Sequence, residues 1–342
     1  MTRIASRALA AALVLTASAA APAEADAVAD FYNGKQVTVI VNAGEGGLNG
    51  LYARTVAEHL GNHIPGKPTM VMQFVAGGGG TKGANQCYNV AARNGTALCH
   101  LLMATAQTQL LGTTGVKYDT AKFTWIGRTT SENSVVYVWH TEPVKTLLDV
   151  RQHEVVIGAT GKGSESYTDP TIINHVLGTK FKVILGYRGG ADLDLALERL
   201  EVKGQSGPAI AVFTRKPQWI EQKQIRFLYQ SGLKENPRLA GVPLLTSFAK
   251  TEEDRQMFEF LSSRADIGRT YCAPPGIPAD RTAALRKAFA DTMKDPAFLA
   301  DAKKRRLDVI PETAEQVEAM IKKVLATPPS VIARTKLALG LK

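Results

Sequence analysis

Residues 37–50 read VTVIVNAGEGGLNG, and this stretch decides the fold class. Its first five residues form a short β-branched run, which is typical of a buried strand. A glycine-rich turn follows, and residues 51–60 continue with a helical pattern. Strand, glycine turn and helix in this order are the repeating unit of an α/β layer fold.

The same unit recurs along the chain after that stretch. Further strands are predicted at 69–75, 96–103, 135–139, 155–158, 181–185 and 225–229. Helices are predicted around Ala84 and at 171–177 and 193–200, and the chain ends with helices at 278–293, 296–305, 313–325 and 331–339. Because strands and helices alternate, we expect mainly parallel strands.

The N-terminal residues indicate export. Arg3 and Arg7 precede an apolar run at 8–21, and Ala25-Asp26-Ala27 is a small-x-small cleavage pattern. The run is shorter than the ~20 residues that span a bilayer. We therefore predict a signal peptide at 1–27 and a periplasmic mature protein. The rest of the 342-residue chain suits two domains of about 150 residues each.

Charge and cysteine content limit the function classes only loosely. The net charge of +10 is compatible with an anionic ligand, with an anionic membrane face, or with solubility alone. Three cysteines cannot all pair within one chain. Cys87 and Cys99 could bond in an oxidising periplasm, or all three could be buried thiols.

Polar and glycine-rich turns follow the predicted strands, where ligands bind in open α/β sheets. Backbone amides in such turns, together with a helix N-terminus, favour an anion, whereas each turn alone could simply be a tight connection. The candidate ligand-binding residues are Gly44, Glu45, Gly46, Gly47, Asn49, Gly78, Gly79, Gly80, Thr105, Gln107, Ser164, Gly189, Gly190, Ala191 and Ser206.

Other chemistries have weak signatures. Gly78, Gly80 and Gly83 form a G-x-G-x-x-G pattern, but it follows the second strand and lacks its acidic partner. His59 and His63 have helical ligand spacing without a further ligand nearby. Neither Ser164 nor Ser206 lies in a nucleophile elbow. We expect no catalytic residue, no cofactor, no metal and no nucleic acid.

The ordered set of motifs resembles the extracytoplasmic receptors of tripartite tricarboxylate transporters, the Bug family. The resemblance covers nearly all of the mature chain. Its carriers are Val39-Ile40-Val41, residues 44–50, Tyr52-Ala53-Arg54, residues 77–80, Ala84-Asn85, Asn94-Gly95-Thr96, residues 123–127, 158–164 and 186–190, Val242-Pro243, residues 273–278 and Asp295-Pro296.

This resemblance implies a two-lobed Venus-flytrap fold, type II-like, with a ligand cleft between the lobes. The first lobe would comprise residues 28–128 and 263–342, and the second 129–262. The resemblance also implies a monomeric receptor that delivers a small carboxylate to membrane transporter subunits. Gly50 stands where the family usually has an aspartate, and Lys203 where it usually has an acid.

Two other functions remain open from the sequence. A ligand-sensing adaptor that presents its closed form to a sensor kinase would need the same lobe closure. A periplasmic hydrolase would need a nucleophile with a base beside it, and no motif assembles such a pair.

Overall fold

The computed structural model describes residues 21–341, which fold into two lobes, each built on one β-sheet. The strands are β1 Gln36–Val41, β2 Thr69–Phe74, β3 Ala97–Leu101, β4 Thr124–Arg128, β5 Ser134–Trp139, β6 Val155–Ala159, β7 Phe181–Leu185, β8 Gly204–Pro208, β9 Ile225–Ser231, β10 Thr270–Ala273 and β11 Glu312–Thr313.

Helices surround both sheets. They are α1 Ala21–Tyr32, α2 Leu48–His63, α3 Thr81–Asn89, α4 Thr105–Leu110, α5 Glu165–Leu177, α6 Gly190–Glu198, α7 Ala209–Arg215, α8 Pro217–Glu221, α9 Glu252–Ile267, α10 Ala279–Thr292, α11 Pro296–Lys304, α12 Ala314–Leu325 and α13 Pro329–Ala338. No helix in this part of the chain is both long and apolar enough to cross a membrane.

The first lobe is built on a six-stranded sheet in the order β11-β4-β10-β3-β1-β2. Strand β1 is apolar and lies next to the edge strand β2, and it pairs in parallel with both β2 and β3. Its side chains Val37, Val39 and Val41 pack into one core with α2 and α10, and Ile40 enters the core on the other face. A strand buried on both faces requires such a continuous apolar run.

The second lobe has a five-stranded sheet in the order β7-β6-β8-β5-β9. Strand β6 pairs in parallel with β7 and β8, whereas β5 runs antiparallel to β8 and β9. The expectation of mainly parallel strands is therefore wrong for the structure as a whole. Strands β4, β5 and β10 adjoin the passages between lobes, and each pairs antiparallel with its neighbours.

Two chain segments connect the lobes, and they are hydrogen-bonded to each other. The amide of Thr129 donates to the carbonyl of Arg269 (2.9 Å), and the amide of Arg269 donates to the carbonyl of Thr130 (2.9 Å). The first passage follows β4, where the sequence places its first boundary. The predicted second boundary at 262/263 falls inside α9, and the chain returns to the first sheet at β10.

The C-terminal helices reach across to the second lobe. Val331 of α13 packs in a core of the first lobe, whereas Leu339 just beyond α13 packs against both that core and a core of the second lobe. The guanidinium of Arg334 also donates to Asp254 at the start of α9, at 2.5 Å. The lobes are thus joined by packing as well as by the two crossing segments.

The two segments that connect the lobes, which we call the hinge, approach so closely that Gly268 should not tolerate a side chain. Gly268 has φ +57°, and an added Cβ would lie 2.1 Å from the carbonyl oxygen of Thr130 in the other crossing segment. Gly268→Ala should lower the free energy of unfolding by about 2–4 kcal/mol. Gly178, a left-handed cap (φ +69°) at the end of α5 with open space around it, is the matched control.

Gly178→Ala should cost only about 1 kcal/mol, because it carries the backbone strain without the clash. Urea unfolding of both variants measures the difference. Equal losses at the two positions would show that the crossing segments do not need to approach closely at Gly268.

Candidate functional site

Glycine-rich turns from the two lobes meet in the cleft. An added Cβ at Gly79 would lie 3.0 Å from backbone atoms of Gly163, and one at Gly163 would lie 3.4 Å from the Cα of Gly79. The turn after β2 in the first lobe therefore touches the turn after β6 in the second. Two of the turns predicted to bind ligand are brought together at this point.

The first turn, between β1 and α2, is open and unobstructed. Gly44 and Gly46 are exposed, and an added Cβ at either would have no heavy atom within 4 Å. Glu45 points to solvent, and its carboxylate accepts a hydrogen bond from Arg54 (2.8 Å). A Cβ at Gly50 would come within 2.2 Å of the Glu45 carbonyl oxygen, so this tight turn excludes a side chain there.

The second turn, Gly77 to Gly80, is held by Asn42. All four glycines have positive φ, which only glycine adopts freely. The Asn42 amide donates to the carbonyl of Gly80 (3.2 Å), and its oxygen accepts from the amide of Leu102 (2.8 Å). Sequence reasoning missed Asn42. Its signal is a polar residue directly after the most apolar strand, where burial demands hydrogen-bond partners.

Serine hydrogen bonds hold the facing turn of the second lobe, which follows β6. Ser164 donates to the carbonyl of Gly161 (2.7 Å) and shares a hydrogen bond with Ser166 (2.8 Å). The hydroxyl of Ser166 also accepts from the amide of Thr160 (3.2 Å). Ser164 thus shapes the turn with its side chain, while its backbone leads into α5.

A third turn leads into α6 and lies against a cation. Gly189 has open space around it, whereas a Cβ at Gly190 would lie 2.9 Å from the guanidinium of Arg215. Arg215 in turn donates to the buried carboxylate of Asp194 (2.7 Å and 3.1 Å). Ala191 is exposed.

Helices that begin at the cleft turns lack side-chain caps. The residues before α2, α3, α5 and α6 make no capping hydrogen bond with their side chains; they are Gly47, Gly80, Ser164 and Gly189. Side-chain caps are present at α9, α11 and α12, on Thr251, Asp295 and Thr313, whereas α4, α7, α8, α10 and α13 also lack one. Uncapped N-termini retain free amides and partial positive charge, which suit an anion.

Three other predicted site residues have internal partners or lie in the interior. The hydroxyl of Thr105 donates to the carbonyl of Leu102 (2.6 Å). The amide of Gln107 donates to Ser263 (3.1 Å) and to the carbonyl of Phe260 in α9, so it joins α4 to α9 and is not free for a ligand. Ser206 is buried in β8 with 2% exposure.

Asn49 connects the first turn to the hinge. It lies in the first turn of α2, and its side-chain oxygen accepts from Arg269 in the second crossing segment. Arg269 is 2% exposed and forms an ion pair with Glu132 in the first crossing segment. Its guanidinium also lies over the ring of Tyr52, 5.1 Å from the centroid. One buried cation therefore contacts a cleft helix and both crossing segments.

A second buried cation supports the turn before α5. Arg264 of α9 is 2% exposed, and it pairs with Asp169 and lies 3.7 Å from the carboxylate of Glu165. Glu165 accepts a hydrogen bond from Ser134 (2.8 Å). Burial raises the pKa of Glu165, and Arg264 opposes that shift.

A cavity of about 990 Å³ lies between the lobes, but none of the cleft turns lines it. Its walls include Ser131 and Asn133 of the first crossing segment and the paired side chains Arg238 and Asp308 (3.2 Å). We place the candidate site in the cleft instead, because glycine-rich turns of the two lobes meet there.

The structure pairs two of the three cysteines and gives the two histidines of α2 carboxylate partners. Cys87 and Cys99 form a disulfide, and Cys272 is a buried thiol. His59 and His63 contact Asp301 (3.3 Å) and Asp295 (2.9 Å), which ties α2 to α11.

Comparison with solved structures identifies this architecture as that of a two-lobed periplasmic binding protein. The periplasmic binding protein BugD superposes with a TM-score of 0.69 at 20% identity, over 91% of this chain and 99% of its own. A protein of R. palustris with adipate gives 0.69 at 18% identity, over 90% and 97%.

MatC of Rhodopseudomonas palustris with bound malate gives a TM-score of 0.67 at 15% identity, over 89% of this chain and 99% of its own. No protein-family model and no curated protein matches this chain. At these identities the superpositions establish the fold, which is shared over nearly the whole length.

The Gly79–Gly163 contact predicts that a side chain at Gly79 holds the cleft open. Gly79→Val should reduce the closed population about tenfold, because the added atoms must displace the backbone of Gly163. Spin labels at Lys82 and Lys162, both exposed and on opposite sides of the contact, allow the distance to be measured by double electron–electron resonance.

The matched control is Gly78→Val, since Gly78 has a similar φ (+57° against +64°) and its Cβ would meet only Thr81 at 3.5 Å. This variant should keep the short distance. If both variants show the same distance distribution, the Gly79–Gly163 contact does not determine closure.

The hinge ion pair predicts a pH effect on stability. Burial raises the pKa of Glu132 from 4.5 to about 7, with Arg269 opposing the shift and Glu165 and Asp308 adding to it. A raised carboxyl pKa stabilises the fold fully below pH ~4.5, and this stabilisation is lost as pH rises through ~7. Its size is at most about 3 kcal/mol.

Glu132→Gln should therefore gain stability relative to the parent as pH rises from 5 to 8. Burial lowers the pKa of His100 to about 3, so His100 makes the stability rise with pH up to about pH 6.5. This contribution is the same in both proteins and cancels in the difference. Urea unfolding at several pH values provides the measurement. Parallel stability curves would mean that Glu132 does not titrate in this range.

Proposed function

We propose that this chain is the extracytoplasmic receptor of a tripartite tricarboxylate transporter, of the Bug family, and that it captures a small carboxylate in the periplasm. The observation that carries the proposal is the set of uncapped helix N-termini that begin at the cleft turns of both lobes. Such ends bind a carboxylate through backbone amides that need no reorganisation.

The geometry favours capture in two stages. The turn from Gly44 to Gly47 in the first lobe is open and offers a first contact for a carboxylate. The turns before α5 and α6 belong to the second lobe and reach the ligand only as the lobes approach. A ligand favours the closed form only through contacts that improve there, so the second-lobe turns would determine closure.

The solved structures of similar fold support this ligand class. One R. palustris protein was solved with adipate and MatC with malate, and both are dicarboxylates of few carbon atoms. A dicarboxylate could place one carboxylate at the first-lobe turns and the other near the second-lobe turn beside Arg215. Arg215 lies against Gly190 and would offer N–H donors there, while its charge is balanced by Asp194.

The proposal also covers export, oligomeric state and delivery of the ligand. We propose that residues 1–27 are a signal peptide, of which the first 20 lie outside the described residues, and that the mature receptor is monomeric. It would bind without catalysis and deliver its ligand to the membrane subunits of the transporter.

The export proposal has a direct test. Material secreted to the periplasm with its own leader should begin near Val28, after Ala25-Asp26-Ala27. N-terminal sequencing of that material decides the point. Soluble cytoplasmic protein that retains Met1 would contradict export.

The ligand proposal is tested by titration calorimetry with malate, adipate and citrate beside their neutral amides. At least one carboxylate should bind with one site per chain, and its amide should not. Gly46→Val should weaken that binding about ten- to a hundredfold, because losing one charge-assisted hydrogen bond costs roughly 1.5–3 kcal/mol.

The control Lys303→Ala removes a cation from the cavity that lies apart from the cleft turns. It should leave the affinity unchanged. Binding of the neutral amides alone would contradict a carboxylate receptor, and loss of affinity in Lys303→Ala but not in Gly46→Val would place the ligand in the other cavity.

A further inference from the structure

Three cysteines from three different elements converge in the core of the first lobe. Cys87 lies on α3, Cys99 on β3 and Cys272 on β10, and all three are fully buried. Their sulfur atoms all lie within 4.8 Å of one another. Cys87 and Cys99 share the disulfide, so the thiol of Cys272 lies beside an existing bond.

Cys99 has two partners within bonding range. Strand β10 pairs antiparallel with β3, and Cys272 is directly opposite Cys99 in that register. Directly opposed residues in such a pair have Cα atoms about 4.5–5.5 Å apart, which lies within the usual disulfide range of roughly 4.4–6.8 Å. The Cα atoms of Cys87 and Cys99 are 6.2 Å apart. Either bond to Cys99 is therefore compatible with the backbone.

We propose that Cys272 is the resolving thiol of a disulfide-exchange site, which moves the bond of Cys99 from helix α3 to strand β10. The thiolate of Cys272 attacks the Sγ of Cys99 and forms the new bond. The bond between Cys87 and Cys99 breaks, and Cys87 leaves as a thiolate that takes up the proton given up by Cys272. One disulfide is present before and after, so no oxidant or reductant is consumed.

The exchange connects the core to the cleft. Helix α3 begins directly after the Gly77–Gly80 turn, so the bond at Cys87 anchors the helix that presents this turn. Moving the bond to Cys272 releases that anchor and joins two strands that are already paired. This consequence rests on the proposed anion-binding role of the turn, whereas the exchange itself does not.

Local opening controls the exchange. Burial raises the pKa of the Cys272 thiol well above its ordinary value, so the reactive thiolate is scarce while the core is closed. Exchange proceeds during local openings of the core that admit water to Cys272 while the bond between Cys87 and Cys99 is still intact.

Disulfide mapping of cysteine variants tests the site. In Cys87→Ser, equilibrated with oxidised and reduced glutathione, Cys99 and Cys272 should bond, and the free thiols of the denatured chain should fall from two to near zero. The matched control Cys272→Ser should keep the bond between Cys87 and Cys99. Two free thiols persisting in Cys87→Ser would overturn the proposal.

The wild-type chain provides a second measurement, which also covers the case in which Cys87→Ser does not fold. After incubation at pH 8 in urea below the unfolding transition, acid quenching and peptide mapping should reveal a linked Cys99–Cys272 peptide. Detection of the Cys87–Cys99 link alone at all times would overturn the exchange.

Ligand affinity tests whether the position of the disulfide affects the cleft, independently of whether the exchange occurs. Cys87→Ser should bind malate, or whichever carboxylate the wild type binds, about three- to tenfold more weakly than Cys272→Ser does. Equal affinities would overturn the link between the disulfide and the cleft. Absence of carboxylate binding in the wild type would instead contradict the proposed function and leave the mapping result intact.

Discussion

The arrangement of the cleft depends on one buried guanidinium, that of Arg269. It contacts Asn49 at the start of α2, Glu132 in the other crossing segment and the ring of Tyr52. Breaking a buried ion pair by removing one partner is costly, typically about 3–5 kcal/mol, even where the pair itself adds little net stability. The pair therefore acts by fixing position: it sets the helix that follows the first turn relative to both segments that connect the lobes.

The helices that begin at the cleft turns forgo a small amount of capping stability. Replacing a good N-cap residue by alanine generally loses about 0.5–2 kcal/mol and by glycine only a few tenths, and the chain uses good N-cap residues before α9, α11 and α12. At the cleft it has glycines, or a serine whose hydroxyl binds within its own turn. Local rules are commonly broken at functional sites and compensated elsewhere. Under the proposed function the amides of these turns would bind an anion, and the disulfide and Asn42 hold the Gly77–Gly80 turn and the helix that follows it.

The local units were predictable from sequence, because their signals are short-range. Strand β1 and its turn follow from a β-branched run and a cluster of glycines, and the C-terminal helices follow from their proline breaks. The mixed strand directions were not predictable, since they result from the two passages between lobes. Strand β8 was missed because its sequence, GQSGP, contains no β-branched or aromatic residue.

The site itself was only partly predictable. The glycine turns could be found, because each follows a strand. The roles of Asn49 and Gln107 could not, because their partners lie 220 and 156 positions away along the chain. Polar side chains near a strand end do not reveal whether they will face a ligand or a distant helix. Asn42, which supports two turns, gave only the weak signal of a polar residue after an apolar strand.

Binding of one carboxylate ligand by backbone amides from both lobes can be observed by NMR. TROSY spectra follow the amide chemical shifts during a malate titration. The amides at 46–49, 79–81 and 163–166 should shift together and saturate at one ligand per chain, while the neutral diamide leaves them unchanged. Shifts confined to residues of the separate cavity, such as Lys234 and Lys303, would contradict it.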